Sequence, residues 1–412
     1  MKMAASILVL STALLVQPSI SLEWKAKWRQ PQDAAAAARS SDEYAWRLFV
    51  AINWPANIAI RAADPDAPFG ADRPTVWETW QNSTDTFLED GMDPGPWREI
   101  PNVPSVAVGP QRFENLLAER LPNVRHIVNG AMVALVDPLS TAPRLIETRL
   151  NRQTYEYIRA RGLFSIGGQL RAVAGPRPVE FPAGSMQVKA GWRLITPAEQ
   201  TRYHTLAIRL KDGQTRLYGL TSLNIASKAL PSWFWASFEH VDNAARIGGE
   251  GWQLPSRDRF ACRGRAFDCN LAPPGIGLDQ TVWRFYRLRG TMTSFVDPSG
   301  RPRLLANSDL EIGLQKTASC ITCHARAAIG SKNGAPARLS AFESDSAGPA
   351  THVPARRGYV GMPDPAWFVS IDGPGASRTI FRPLDFVWSL AQAKAQPRPE
   401  GIPATTISGD PP

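Results

Sequence analysis

Beyond its first 21 residues this sequence has no apolar stretch long enough to cross a membrane, and it has no block of consecutive lysines or arginines. The first absence predicts that the exported chain has no integral membrane segment. The formal charge of +9 is spread along the chain, which argues against a nucleic-acid-binding arm and indicates a mildly basic surface. Such a surface weakly favours a negatively charged partner.

Common signatures of nucleotide-binding, hydrolase and repeat proteins are also missing. There is no glycine-rich loop that would cradle a phosphate group, no G-x-S-x-G turn that would carry a nucleophilic serine, and no repeat of fixed period. The sequence therefore leaves any small-molecule substrate unassigned.

The N-terminal segment is typical of an export signal. A short positive start (MK) precedes an uncharged apolar run, and Ser19 and Ser21 provide the small residues of a cleavage site. We predict a signal peptide over 1–21, with an uncleaved membrane anchor as the alternative. Export places the rest of the chain in an oxidising compartment outside the cytoplasm.

Cysteine and histidine are scarce, with four and five copies in 412 residues, yet SCITCHA (319–325) contains three of them. Cys320, Cys323 and His324 form C-x-x-C-H, the attachment signature of c-type haem. Two thiols three positions apart can each add to one porphyrin vinyl group, and the next histidine is then carried under the ring to ligate iron. A thioredoxin-like dithiol requires a βαβ context and a zinc site requires a second ligand pair close by, and neither is visible. The sequence therefore predicts one covalent haem c.

Length and periodicity predict an α+β fold in two domains. We expect an antiparallel, β-rich, sandwich-like domain with helical decoration over 22–299, a small all-α domain over 300–396, and a disordered proline-rich tail over 397–412. In MQVKAGWRL (186–194) apolar and polar residues alternate, and the following stretch predicts a hairpin that turns at Asp212-Gly213. Helices are predicted after two capping boxes, which begin at Ser40 and Thr75.

The residues around the motif favour helices on both sides. Ser308 and Glu311 form a capping box ahead of the motif, and PLDFVWSLAQAKAQP has an apolar stripe from Leu384 to Ala391. Two helices that bracket C-x-x-C-H resemble the fold of a class I cytochrome c domain over roughly 300–396. The resemblance implies a redox-active haem iron with a second axial ligand.

The second iron ligand is predicted to be Met362, in GYVGMPDP, because this context resembles the axial-methionine loop of cytochromes c. A thioether paired with His324 would raise the reduction potential. His352 is the competing ligand, and an open or water-filled position is the third possibility. The wider chain also resembles the long bacterial cytochrome c family proteins, in WRLFVAINWP, WFWASFEHVDN and LANSDLEIGLQKTASCITCHARA.

Outside the motif few residues suggest chemistry. His240, in FEHVDN, is a weak candidate for acid–base catalysis, although a structural histidine is the simpler interpretation. His204 is expected to be a core residue. Cys262 and Cys269 should form a disulfide in an oxidising compartment. Most of the fourteen tryptophans are expected to pack in the core, with ring contact to a cofactor as the alternative.

Three functions follow from these predictions. The first is one-electron transfer with a periplasmic redox partner protein, which requires only a haem ligated by His324 and Met362. The second is a haem-dependent oxidoreductase, such as a peroxidase or oxygenase, which needs an open iron position. The third is a haem-based sensor in which the β-rich domain binds a ligand.

Overall fold

The computed structural model describes residues 27–97, 124–128, 131–135, 145–209, 215–244, 256–262, 269–311, 314–332, 334–339, 358–371 and 378–397. The predicted signal peptide, the Asp212-Gly213 turn, His352 and most of the predicted tail lie outside these residues.

Helices and strands occur in groups along the described chain, with two pairs of α-helices and one short α-helix between runs of strands. The α-helices are α1 (Ala34–Arg39), α2 (Ser41–Ile52), α3 (Arg152–Ala160), α4 (Ile166–Ala174) and α5 (Cys320–Ala325). The strands are β1 (Ala56–Asn57), β2 (Ala62–Ala63), β3 (Gln81–Asn82), β4 (Val124–Val128), β5 (Ala131–Leu135), β6 (Leu145–Leu150), β7 (Met186–Leu194), β8 (Thr205–Arg209), β9 (Thr215–Ser227), β10 (Phe234–His240), β11 (Tyr286–Met292), β12 (Ala328–Lys332), β13 (Ala335–Arg338), β14 (Val369–Ile371), β15 (Arg378–Ile380) and β16 (Arg382–Pro383). Within this part of the chain no helix is long and apolar enough to cross a membrane.

Seven antiparallel strands form the central sheet, in the order β11-β10-β9-β7-β6-β3 with β8 paired to β9. The β8–β9 pairing confirms the predicted hairpin, with Arg209 opposite Thr215. The mixture of helices with antiparallel sheets agrees with the α+β class.

One face of the central sheet is apolar and is covered by α2. Phe49 of α2 stacks on Phe238 of β10 with ring centroids 4.3 Å apart, and the Trp46 ring meets the same phenylalanine edge-on. Burial of this apolar stripe is why the alternating residues of β7 and the apolar residues of α2 adopt these elements. The tryptophans Trp46, Trp77, Trp192 and Trp283 are buried in this cluster, as expected for core residues.

The other face of the sheet is polar at its centre and is nevertheless buried. Ser237 and Glu239 on β10 are 1% and 0% exposed, because the segment Asn307–Glu311 lies across them. Among the described residues α2, and not a second sheet, covers the apolar face of the central sheet, so the predicted sandwich is wrong there. The alternation in β7 predicts one buried and one solvated face, and it does not predict the chain segment that buries the polar face at β10.

The described part of 300–396 is not all-α. It contains the single six-residue helix α5, five short strands and two 3₁₀ helices, Pro365–Phe368 and Trp388–Gln392. Ser308 does not cap a helix because its hydroxyl bonds to Glu239. The second predicted helix is interrupted because Asp385 and Phe386 both have positive φ angles, 48° and 68°.

Apolar packing joins this C-terminal segment to the earlier chain. Ile321, Leu384 and Val387 pack in one buried cluster with Leu150 and Trp233. The cluster crosses the domain boundary predicted near residue 300, so the motif helix shares one core with the sheet, α3 and α4.

Of the two predicted N-terminal helices, one is present. α2 begins after Ser40, but the Ser40 side chain makes no capping hydrogen bond. Near Thr75 only the short 3₁₀ helix Trp77–Thr79 forms, although Thr75 N donates to Glu78 Oε2 at 2.8 Å as a capping box would require. The predicted disulfide between Cys262 and Cys269 is confirmed.

Candidate functional site

The C-x-x-C-H motif lies on α5, which is held between two extended segments. Cys320 N donates to the Leu305 carbonyl oxygen at 3.1 Å, and Ser319 N donates to the Tyr359 carbonyl oxygen at 3.1 Å. Neighbouring chain on both sides therefore fixes the first turn of a helix that is too short to be stable alone.

The segment before the motif is docked on the polar face of the sheet. Asn307 Nδ2 donates to the Phe238 carbonyl oxygen at 2.9 Å, and its Oδ1 accepts from the Asp309 and Leu310 amides at 2.9 and 3.1 Å. The turn is thus capped by Asn307, one residue before the predicted cap. Beneath it, Arg287 Nε donates to Glu239 Oε1 at 2.9 Å, so the carboxylate that binds Ser308 is neutralised by a cation.

Both thiols of the motif are free and face backbone groups. Cys320 Sγ lies 3.0 Å from the Leu305 carbonyl oxygen, and Tyr359 N donates to Cys323 Sγ at 3.3 Å. Burial raises the pKa of Cys320 well above its usual value and the pKa of Cys323 to about 11. Both sulfurs are therefore protonated at neutral pH, unlike the thiolates of zinc sites and redox-active dithiols. Addition of S–H across a vinyl group is compatible with this protonated state.

The imidazole of His324 is held in one tautomer. Its Nδ1 lies 2.8 Å from the Phe386 carbonyl oxygen, and because a carbonyl only accepts, Nδ1 carries the proton and Nε2 carries the lone pair. Burial lowers the pKa of His324 to about 4, so the ring is neutral at pH 7. A neutral imidazole oriented by a backbone acceptor on its other nitrogen is the usual arrangement of a metal-binding histidine.

Aromatic side chains form a wall beside His324. The Trp235 ring centroid is 4.3 Å from the imidazole centroid, Phe386 is 6.4 Å from Trp235, and Phe295 is 6.3 Å from Phe386. These rings keep water away from one side of the imidazole, in agreement with its lowered pKa. The described site therefore combines two free thiols, a neutral imidazole and an aromatic wall.

The segment that carries Met362 runs beside the motif helix. Thr322 Oγ1 on α5 donates to the Gly361 carbonyl oxygen at 2.7 Å, so the next residue, Met362, is adjacent to the motif in space. Its side chain is 62% exposed and that of Val360 is 36% exposed. Gly361 has a φ of 77°, a value that favours glycine at this turn.

His240 is a structural residue. Its Nε2 faces the Arg202 carbonyl oxygen at 2.9 Å, its Nδ1 accepts from the Asp242 amide at 3.1 Å, and its ring stacks on Tyr203 with centroids 3.8 Å apart. Burial lowers the pKa of His240 to about 4. Both nitrogens are bonded to backbone groups, which favours the structural role over the weaker catalytic prediction.

His204 also has a local partner. Its Nε2 lies 3.0 Å from Glu78 Oε2, and its ring stacks on Trp283 with centroids 4.7 Å apart. Those contacts agree with the expected packing role.

Sequence reasoning missed four residues that position the motif: Trp235, Phe386, Lys228 and Asp385. Trp235 lies in the tryptophan-rich stretch SWFWASF, where ring contact with a cofactor was the less favoured interpretation. Lys228 Nζ contacts the two Asp385 carboxylate oxygens at 2.7 and 2.9 Å. Burial raises the pKa of Asp385 and Lys228 opposes that effect. No local pattern joins residues 157 positions apart, so this pair had no signal in the sequence.

Comparisons with family models, with curated proteins and with solved structures found no match. Among the described residues no group of three histidine, cysteine, aspartate or glutamate side chains is arranged to hold a metal ion.

Proposed function

We propose that this chain is an exported c-type cytochrome that holds one covalent haem and transfers single electrons with a periplasmic partner protein. The observation that supports this most strongly is the 2.8 Å contact between His324 Nδ1 and the Phe386 carbonyl oxygen. It leaves the Nε2 lone pair for a metal, directly after two protonated thiols at the spacing of haem attachment.

The residues that would hold the haem are few. Cys320 and Cys323 would form the two thioether bonds, and His324 Nε2 would ligate the iron. The haem supplies a reversible one-electron change, while the chain orients the imidazole and limits water on the Trp235 side. Electron transfer requires no catalytic side chain beyond the residues that hold the haem.

For the second iron ligand we propose Met362. Gly361 is bonded to the motif helix, and the exposed thioether is free of the buried core. The same exposure favours one alternative, a haem oxidoreductase whose sixth position is open to a small substrate. His352 remains the competing ligand.

Haem attachment is tested by the pyridine haemochrome spectrum of protein exported from a host with a c-type maturation system. Wild-type protein is expected to retain its colour in acidified organic solvent and to give the spectrum of a haem with both vinyl groups saturated. Cys320→Ala is expected to shift this band towards that of a haem with one vinyl group. As a matched control, the Cys262→Ser/Cys269→Ser variant should keep the wild-type spectrum; extraction of all pigment from wild-type protein contradicts the proposal.

The second ligand is tested with Met362→Ala. We expect loss of the thioether-to-ferric charge-transfer band and a lower reduction potential, because a soft neutral ligand is removed. Met92→Ala, at a methionine that is also exposed, is the control. A high-spin ferric spectrum in wild-type protein, with rapid binding of carbon monoxide to its reduced form, would favour the oxidoreductase.

A further inference from the structure

The turn that carries the Phe386 carbonyl group has an unfavourable backbone conformation. Asp385 and Phe386 have φ angles of 48° and 68°, in the left-handed region. Residues with a side chain rarely adopt this region because the side chain is crowded against the backbone there. Two in succession persist only where surrounding contacts hold them.

The contacts that hold this turn come from two distant segments. Lys228 Nζ bonds to both Asp385 carboxylate oxygens at 2.7 and 2.9 Å and to the Pro231 carbonyl oxygen at 2.9 Å. Phe181 N donates to Asp385 Oδ2 at 2.7 Å. Both charged side chains are only 7% exposed, so the pair is shielded from water and salt.

The turn in its held conformation contacts the motif at two points. The Phe386 carbonyl oxygen meets His324 Nδ1 at 2.8 Å, and Trp388 Nε1 donates to the Cys323 carbonyl oxygen at 2.8 Å. Leu384 N donates to the Ala327 carbonyl oxygen at 2.7 Å just beyond the helix. A shift of the turn would therefore lengthen the histidine hydrogen bond directly.

A buried ion pair adds little net stability compared with an apolar pair of similar volume, because desolvation offsets its attraction. The contacts of Lys228 and Asp385 are better explained by the turn that they hold beside His324. We propose that Lys228 and Asp385 are positioning residues that aim the Phe386 carbonyl group at His324 Nδ1 and thereby set the reduction potential of the haem. The inference rests on the proposed function. A stronger Nδ1–H···O bond makes the imidazole a better electron donor to ferric iron, so weakening it raises the potential.

The test compares Asp385→Asn, Lys228→Met and the double variant, each with haem attached. If only the two charges mattered, the reduction potential would shift in opposite directions in the two single variants. The two shifts would cancel in the double variant, which removes one charge of each sign. Positioning predicts that the double variant has a higher potential than wild-type, by about tenfold in the reduction equilibrium constant, or about 59 mV for one electron. It also predicts faster exchange of the His324 Nδ1 proton, followed by its hyperfine-shifted NMR resonance.

A matched control is the buried pair Glu147 and Arg149, joined at 2.8 Å on β6. Glu147→Gln/Arg149→Met should leave both the reduction potential and the exchange of the His324 Nδ1 proton unchanged. Wild-type potential and exchange in a haem-loaded double variant overturn the positioning role and leave the proposed function intact. Asp385→Asn is the milder variant because it keeps an acceptor for Phe181 N. Unchanged exchange of the His324 Nδ1 proton in this variant also contradicts the positioning role. If wild-type protein contained no covalent haem, that result would instead contradict the proposed function itself.

Discussion

At the scale of single residues, the histidines differ in what their nitrogens contact. His240 is satisfied on both nitrogens by backbone, whereas His324 is oriented by one carbonyl group and retains the lone pair on Nε2. The polarity of the neighbouring residues does not distinguish the two histidines correctly, because His240 in FEHVDN has more polar neighbours than His324 in SCITCHA. Only the C-x-x-C spacing singled out His324.

The first prediction concerns the pH dependence that His240 confers. Its folded pKa of about 4 lies below the usual 6.5, so the unfolded chain binds the proton more readily. The contribution to stability is present above about pH 6.5 and is lost as the pH falls towards 4, by about 3 kcal/mol. Denaturant unfolding at pH 7 and pH 4 should show a smaller difference in His240→Gln than in wild-type protein. Equal differences in the two proteins would contradict the buried, neutral imidazole.

The second prediction concerns Asn307, which caps the turn before the motif. Asn307→Ala leaves the Phe238 carbonyl oxygen and the Asp309 and Leu310 amides without this partner. We expect a loss of about 2–3 kcal/mol in the free energy of unfolding, measured by urea titration. Asn57→Ala, which removes one exposed side-chain contact to Ala59 N, should change it by less than about 0.5 kcal/mol. Similar losses in both variants would mean that the segment is not docked as described.

At the scale of elements, those with strong local patterns were predictable. The alternation in β7, the hairpin of β8 and β9, helix α2 and the disulfide all follow from periodicity, turn chemistry or compartment. Elements decided by distant contacts were not. In the described part of the chain no helix begins at Ser308, whose hydroxyl is bonded to Glu239. The helix expected after Pro383 is reduced to the 3₁₀ helix Trp388–Gln392, because Asp385 and Phe386 adopt left-handed angles.

The site could likewise be predicted only in part. Cys320, Cys323 and His324 were identified by a motif with fixed spacing, and the role of Met362 stays a prediction. The aromatic wall and the Lys228–Asp385 pair depend on the tertiary fold. The sandwich prediction failed for the same reason, because alternation shows that one face of a sheet is buried but not whether a helix or a second sheet covers it.

The third prediction concerns the disulfide between Cys262 and Cys269. The bridge joins residues seven positions apart, so its effect on the entropy of the unfolded chain is modest. The double serine variant is expected to lose about 2–3 kcal/mol of stability, measured by thermal or denaturant unfolding. Its haem content should match that of wild-type protein. Loss of covalent haem in this variant would indicate that these cysteines, too, take part in attachment.

At the scale of the whole molecule, the net charge bears on which partners the proposed cytochrome would meet. The formal charge is +9 and the isoelectric point is about 9.6. This field should attract anionic partners, with an effect that is screened as ionic strength rises. An acidic partner protein is therefore expected.

The fourth prediction tests this field with small reagents. Oxidation of the reduced protein by an anionic iron complex should slow several-fold between about 10 mM and 150 mM salt, as the screening length falls from about 30 Å to about 8 Å. Oxidation by a cationic cobalt complex should accelerate over the same range. Stopped-flow rates that are independent of salt for both reagents would exclude electrostatic steering at the reacting surface.

The most direct test of the account is the mass of the intact protein purified from the periplasm, together with peptide mapping. We predict a mass that exceeds the processed polypeptide by one haem, with the addition on the peptide that contains Cys320 and Cys323 and lost in the Cys320→Ala/Cys323→Ala variant. An unmodified SCITCHA peptide, from cells that attach haem to a known cytochrome c, would contradict it.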